Sequence, residues 1–241
     1  MPETPTSVTD RWPPAPEGST AWLAELCQDD GLTGFTPPGL PDAVWVFHSM
    51  YEHEQGPAEV PEAAGDGLGR AEHPGPGWRR LRWTELARRL GDPVATPELP
   101  PCYRSFPSFK AERGRPSGIC WPTEGSLDRE SWNRLVDVLL RHSPQGAGTP
   151  CLAYYNPLTL GAWDFDNLHV REGRLGDAKD LYDYPEAEFS PANLWAADRS
   201  WVVCSDYDLW ATKVAGPAPL VEALLGDAGL EALRMPPAPW N

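Results

Sequence analysis

The stretch that most constrains what this chain can fold into lies at 200–214. The segment SWVVCS at 200–205 is rich in β-branched and aromatic residues, DYD at 206–208 interrupts it, and WATKV at 210–214 resumes an alternating pattern. Two such runs with a short polar break between them predict a β-hairpin, since successive strand residues point to opposite faces. In the first strand Trp201, Val203 and Ser205 share one face, and Val202 and Cys204 the other. A strand that is apolar on both faces belongs in the middle of a sheet. In the second, Trp210, Thr212 and Val214 alternate with Ala211 and Lys213, which predicts one wetter face.

Helical patterns come mostly earlier in the chain. At 83–90, Thr84 can cap, Glu85 sits in the first turn, Arg88 and Arg89 sit in the last, and Gly91 stops the helix. At 127–142, Ser126 or Asp128 can cap, Glu130 opens the helix, and Leu135, Val138, Leu139 and His142 recur on one stripe. Residues 40–52 carry Val44, Trp45, Phe47, His48 and Tyr51, and length together with Asp42 near the start predicts a helix there. A short helix is expected from a cap at Ser19 or Thr20 to a stop at Gly31, on Trp22, Leu23, Leu26 and Cys27. CLAYYN at 151–156 predicts a strand, and 162–175 a second hairpin turning at Glu172 and Gly173. Residues 219–225 and 230–233 predict a short amphipathic helix broken at Gly226 and Asp227.

The expected fold is therefore α+β: an antiparallel sheet mainly from the C-terminal half, flanked by helices. A single domain is expected over 19–235, with a loop-rich insertion near 54–77. Residues 1–18 form a Pro-rich segment expected to be disordered or loosely laid on the surface, and 236–241 form a tail in which Trp240 could dock. Between 92 and 122 the chain is dense in Pro, Ser and Arg and is expected to wrap the surface, pinned by Tyr103, Phe106, Phe109 and Trp121.

Charge narrows the choice of partners. The chain holds 35 acidic residues against 20 basic ones, a net charge of −15, so its global field repels nucleic acid and anionic membranes and favours a basic protein. One run opposes the trend, Arg79, Arg80, Arg82, Arg88 and Arg89, and it follows Glu52, Glu54, Glu59, Glu62, Asp66 and Glu72. Mutual neutralisation of the two runs is expected ahead of a phosphate site. No run of about 18 apolar residues is present to span a bilayer. The start MPETPTSVTDRWPPAPEGS has no apolar run behind a basic end, so a signal peptide is not expected. Five scattered cysteines without a CxxC pair predict reduced thiols and a cytoplasmic location.

Two acidic pairs are candidates for chemistry, Asp164 with Asp166 and Asp206 with Asp208, because residues i and i+2 of a strand share a face. A strand ending in DxD resembles the haloacid dehalogenase-type phosphatases. Leu209 and Trp210 replace that motif's small and hydroxyl residues, and the stretch after Asp208 is expected to be too short for the rest of that machinery. Asp164, Asp166 and His169 have a spacing that can converge on a metal, but Asp and His at hairpin ends are commonly turn formers. His48, His53, His73 and His142 lack ligand spacing, HExxH and glycine-rich phosphate loops are absent, and Cys151 and Cys204 read as inert core thiols. No cofactor is expected.

The block FSPANLWAADRSWVVCSDYDLWATKVAGPAPLVEALL carries a resemblance through Trp195, Asp198, Arg199, Trp201, Asp206, Asp208 and Gly216. It resembles the C-terminal portion of uncharacterised actinobacterial proteins and, more remotely, SUKH-type toxin-immunity proteins, whose early helix LPDAVWVFHSMYE also loosely resembles. The resemblance implies a cytoplasmic α+β binding module that covers a toxin's active site, and the acidic charge would steer it to a basic nuclease. The resemblance supplies no site residues; from the sequence itself the candidate binding residues are Asp164, Asp166, Asp206, Tyr207, Asp208 and Trp210. The alternative is a carboxylate-dependent hydrolase, with or without a divalent ion.

Overall fold

A computed structural model of the chain describes residues 7–19, 40–61, 64, 69–93, 100–109, 116–156 and 169–235. A seven-stranded sheet runs in the order β10 (Ala232–Arg234), β1 (Asp42–Phe47), β9 (Ala211–Gly216), β8 (Val202–Ser205), β7 (Asn193–Ala196), β5 (Pro150–Tyr155) and β6 (His169–Arg174). Every pairing in it is antiparallel. Six of the seven strands lie after residue 149, as the sequence predicts for an α+β fold. A smaller antiparallel sheet places β2 (Met50–His53) between β3 (Trp78–Leu81) and β4 (Ile119–Cys120).

The 200–214 hairpin forms with its first strand central, Val203 opposite Val214 and Ser205 opposite Thr212. Alternation then separates two cores. Val44, Val46, Leu194, Val203 and Val214 face a helical layer of Trp132, Leu135, Val138 and Leu139 from α3 (Arg129–His142) and Leu220, Val221 and Leu224 from α4 (Ala218–Leu225). Trp201 is buried in this layer and its indole N–H donates to Ser143 Oγ at 2.9 Å. The second core joins Trp45, Phe47 and Ala211 of the large sheet to Met50, Leu81 and Ile119 of the small one and to Trp83 and Leu86 of α2 (Trp83–Leu90). Its centre is aromatic: Phe47 stacks on Trp83 at 4.5 Å, Trp83 meets Phe106 at 5.2 Å, and Trp121 meets Trp210 at 5.8 Å. Phe106 and Trp121, two of the four aromatics expected to pin the 92–122 segment, are anchored in this core; residues 94–99 and 110–115 of it lie outside the described residues.

Several expectations are corrected. Residues 40–52 are two strands in different sheets, with His48 and Ser49 as the crossing. Val44 and Val46 enter one core while Trp45 and Phe47 enter the other, so both faces of the run are buried, which period-two geometry allows. Glu172 and Gly173 form no turn. They lie inside β6, opposite Leu152 and Cys151. Residues 230–233 give β10 rather than helix, because the carbonyls of Ala228, Gly229 and Leu230 accept from Arg82, Arg80 and Arg82 in place of helical amides. The predicted wet face of β9 is closed: Lys213 is 3% exposed, its ammonium 6.0 Å from the Trp45 ring centroid, and burial lowers its pKa to about 8.

The helix ends show which local signals act. Asp128 caps α3 by accepting from Ser131 N at 3.0 Å, and Gly91 ends α2 at φ 73°. Thr84 does not cap α2. The Glu231 carboxylate instead accepts from the amides of Trp83 and Thr84, placing a charge at the positive end of the helix dipole. Of the acidic run, Glu52 pairs with Arg79 and Arg89 of the basic run; Glu85, which lies within the basic segment itself, pairs with the same two arginines.

Within the segment expected to be a loose tail, residues 7–19 are docked. The short helix α1 (Val8–Arg11) carries a capping box between Ser7 and Asp10, and Trp12 is fully buried. The helix expected between the Ser19 or Thr20 cap and Gly31 lies, beyond Ser19, outside the described residues, as do the Asp164–Asp166 pair and Trp240.

Candidate binding cleft

The β8–β9 turn places Asp206, Tyr207 and Asp208 where the sequence predicts, but gives them backbone work. Asp206 Oδ1 accepts from Asp208 N at 3.0 Å and the Asp206 carbonyl accepts from Leu209 N at 3.1 Å. This is an Asx turn, in which a side chain stands in for a backbone acceptor. Burial raises the pKa of the Asp206 carboxyl, with the Asp208 amide pulling the other way. Tyr207 packs its ring against Phe189 at 5.7 Å, and Asp208 is exposed. Trp210, expected to contribute to binding, is buried in the aromatic core and is corrected to a packing residue. Among the described residues no group of three His, Cys, Asp or Glu side chains is placed to hold a metal ion.

Behind this turn a buried polar seam ties the two sheets together. His48 Nδ1–H donates to the Thr123 carbonyl at 2.7 Å, which fixes the tautomer and leaves Nε2 to accept from Thr212 Oγ1 at 3.0 Å. Thr212 in turn accepts from Ser205 Oγ at 2.6 Å. Burial dominates the His48 titration and lowers its pKa to about 4, so the imidazole is neutral. The chain resembles a proton relay in composition, yet all three side chains are buried. The next residue, Ser49, donates to Asp128 Oδ2, so the crossing is also bonded to the cap of α3.

That cap opens onto a cleft of about 610 Å³. Its floor holds Tyr51 of β2 and Asp128, one side is Ala71, Glu72 and His73, and the other is the polar stripe of α3. Glu130, Asn133, Arg134 and Asp137 fall at i, i+3, i+4 and i+7, which brings them to one helix face, opposite the core-facing Trp132, Leu135 and Leu139. His73 meets Tyr51 edge-on, 4.7 Å between ring centroids. Burial first, and the nearby Asp128 second, raise the pKa of the Tyr51 phenol, which stays protonated. The 71–73 wall is held by Tyr182: its hydroxyl donates to the Ala71 carbonyl at 3.2 Å, its backbone carbonyl accepts from Arg70, and the Arg129 guanidinium lies 4.6 Å over its ring.

The cleft's two arginines each hydrogen-bond to a carboxylate outside it. Arg129 makes a bidentate pair with Asp183 at 2.6 Å, and Arg134 pairs with Asp227; neither carboxylate lines the cleft. The hydrogen bond from Arg129 lowers the pKa of the Asp183 carboxyl. Asp137 pairs outward with Lys179 at 2.7 Å. Glu72 and Glu130 are exposed and make no direct ion pair among the described residues, although Glu72 attracts Arg129 and Glu130 attracts Arg134 at longer range. Two exposed carboxylates at the rim suit a cationic group through charge pairing.

Among the described residues no cysteine is placed as an exposed nucleophile. Cys102, Cys120, Cys151 and Cys204 are buried and free, and burial followed by Asp198 pushes the Cys151 thiol up to about 12. Comparison with known protein families, with curated proteins and with solved structures finds no match to this chain. The cleft residues were missed by the sequence reading. The 130–137 stripe is visible there, but a polar helix face is commonly just solvated, and no local signal brings Tyr51 or 72–73 to it.

Proposed function

We propose that this chain is an acidic protein-binding module of toxin-immunity type, and that its cleft along α3 receives a basic side chain of the partner. The observation that carries the reading is the division of charge in the cleft: Arg129 and Arg134 are tied to Asp183 and Asp227, while Glu72 and Glu130 make no direct ion pair among the described residues. A net charge of −15 adds long-range attraction for a basic protein, and the resemblance of the C-terminal block to immunity-type proteins points the same way. Binding of this kind weakens with salt, since exposed charges are screened over about 8–10 Å at 0.10–0.15 M.

The test compares the tagged chain with its Glu72→Lys/Glu130→Lys variant in cells that naturally produce it. The expected result is a stoichiometric basic protein that is retained by the parent at low salt, released by added salt, and lost from the double variant. Recovery of no stoichiometric partner contradicts the binding function. A partner held equally by both chains contradicts the cleft as its site.

A further inference from the structure

We infer that the groove between β6 and the 3-10 helix Leu175–Asp183 is a peptide-acceptor site, whose occupant in trans is the N-terminal strap, residues 7–17, of a second copy of this chain. The inference is independent of the cleft along α3. In the structure the strap occupies the groove in the manner of a bound peptide. Trp12 is fully buried, and its indole N–H donates to the Asp177 carbonyl at 3.2 Å. The slot exists because position 173 of β6 is glycine: a Cβ there would stand 2.6 Å from the Trp12 ring. After Trp12 the strap adds to the edge of the sheet, Glu172 N donating to the Pro13 carbonyl at 3.0 Å and Ala15 N to the Val170 carbonyl at 2.9 Å. One aromatic anchor followed by strand addition at a sheet edge is a general mode of peptide recognition. Pro13, Pro14 and Pro16 have no N–H to donate, so the strap completes the edge without offering a template for further strands.

Charge also holds the strap in place: the Arg11 guanidinium pairs with Asp180 at 2.6 Å and lies 3.6 Å from Asp177, both on the 3-10 helix, so a second copy's strap competes with an anchored cis strap. The strap touches the body through Trp12, the edge pairing, the Arg11 ion pairs and Val8, and a cleft of about 760 Å³ lies beside it, lined by Asp10, Arg11, Pro13, Leu152 and Ala197. A strap attached in cis has the advantage of high effective concentration, so exchange between copies emerges only when the cis strap is weakened or the chain is concentrated.

The experiment is fluorescence anisotropy with a labelled peptide, SVTDRWPPAPE, titrated into the full-length chain and its Trp12→Ala variant. The Trp12→Ala chain is expected to bind the peptide saturably and at least tenfold more tightly than the parent. A peptide carrying Trp12→Ala is expected not to bind, and adding Gly173→Val to the Trp12→Ala chain to abolish binding. A cooperatively melting Trp12→Ala chain that ignores the peptide, or binds the Trp-less peptide equally well, overturns the inference. Should that variant fail to fold, the parent chain decides: weak, saturable, Trp-dependent binding supports the inference, and no saturable binding up to millimolar peptide overturns it.

Discussion

Two acidic regions of this molecule treat their charge differently. At the β8–β9 turn, Asp206 accepts a backbone amide and is half-buried, and its neighbours are Phe189-packed Tyr207 and core-buried Trp210. Along α3, Glu72 and Glu130 are exposed beside a cleft whose arginines are tied elsewhere. The lesson is that carboxylates two residues apart at a strand end are first of all turn chemistry. Carboxylates on the outer face of a helix become available when a second element folds over them and their own cations are taken by third parties.

The comparison predicts that changes around the hairpin register in stability and changes around the cleft register in binding. The largest expected effect is at Trp201, which is buried in the helical core and bonded to Ser143. Trp201→Ala is expected to cost about 3–5 kcal/mol in chemical denaturation; an unchanged midpoint would remove the hairpin from the centre of the fold.

Next comes the seam that holds hairpin and crossing together. His48 has a folded-state pKa of about 4, below the ordinary 6.5 of an unfolded chain. Between those values the unfolded chain binds a proton that the folded one does not, so this contribution is complete above pH 6.5 and is lost as pH falls towards 4. The loss amounts to about 3 kcal/mol. A His48→Gln chain, although less stable at pH 7, is expected to show a shallower fall through this window. Parallel stability curves for the two chains would contradict the burial of a neutral imidazole.

Smaller effects separate the acidic regions themselves. Asp206→Asn keeps an oxygen to accept the Asp208 amide and removes a charge that burial disfavours, so stability is expected to hold or rise by about 0.5 kcal/mol. Glu72→Lys is expected to stay within about 0.5 kcal/mol of the parent and Glu130→Lys, which reverses a charge in the first turn of α3, within about 1–2 kcal/mol, while both abolish capture of the basic partner. Loss of more than that in thermal or urea unfolding would show that the cleft carboxylates are structural.

Much of the framework was legible in the sequence because local signals and tertiary packing agree. The 200–214 hairpin, the Asp128-capped α3, the Gly91-terminated α2 and strand β5 all carry their own patterns. Where the reading departed from the structure, distant contacts decided. Residues 40–52 look helical by length, but Trp45 and Val46 feed different cores. Glu172 and Gly173 look like a turn, but the glycine serves the Trp12 slot. Lys213 looks solvent-facing, but its side of the sheet is covered. The cleft was the least legible part, since it joins positions 51, 72–73 and 128–137 and exists only once the chain has crossed between sheets at His48 and Ser49.

The central claim is that the cleft along α3, and not the β8–β9 turn, receives cationic groups. Its most direct test is a heteronuclear NMR titration of the full chain with a short arginine-rich peptide at low salt. The account predicts saturable shifts at Tyr51, Glu72, His73 and Glu130, reversed by salt, with Asp206 to Asp208 unmoved. Shifts centred on Asp206 to Asp208, or none that saturate anywhere, would contradict it.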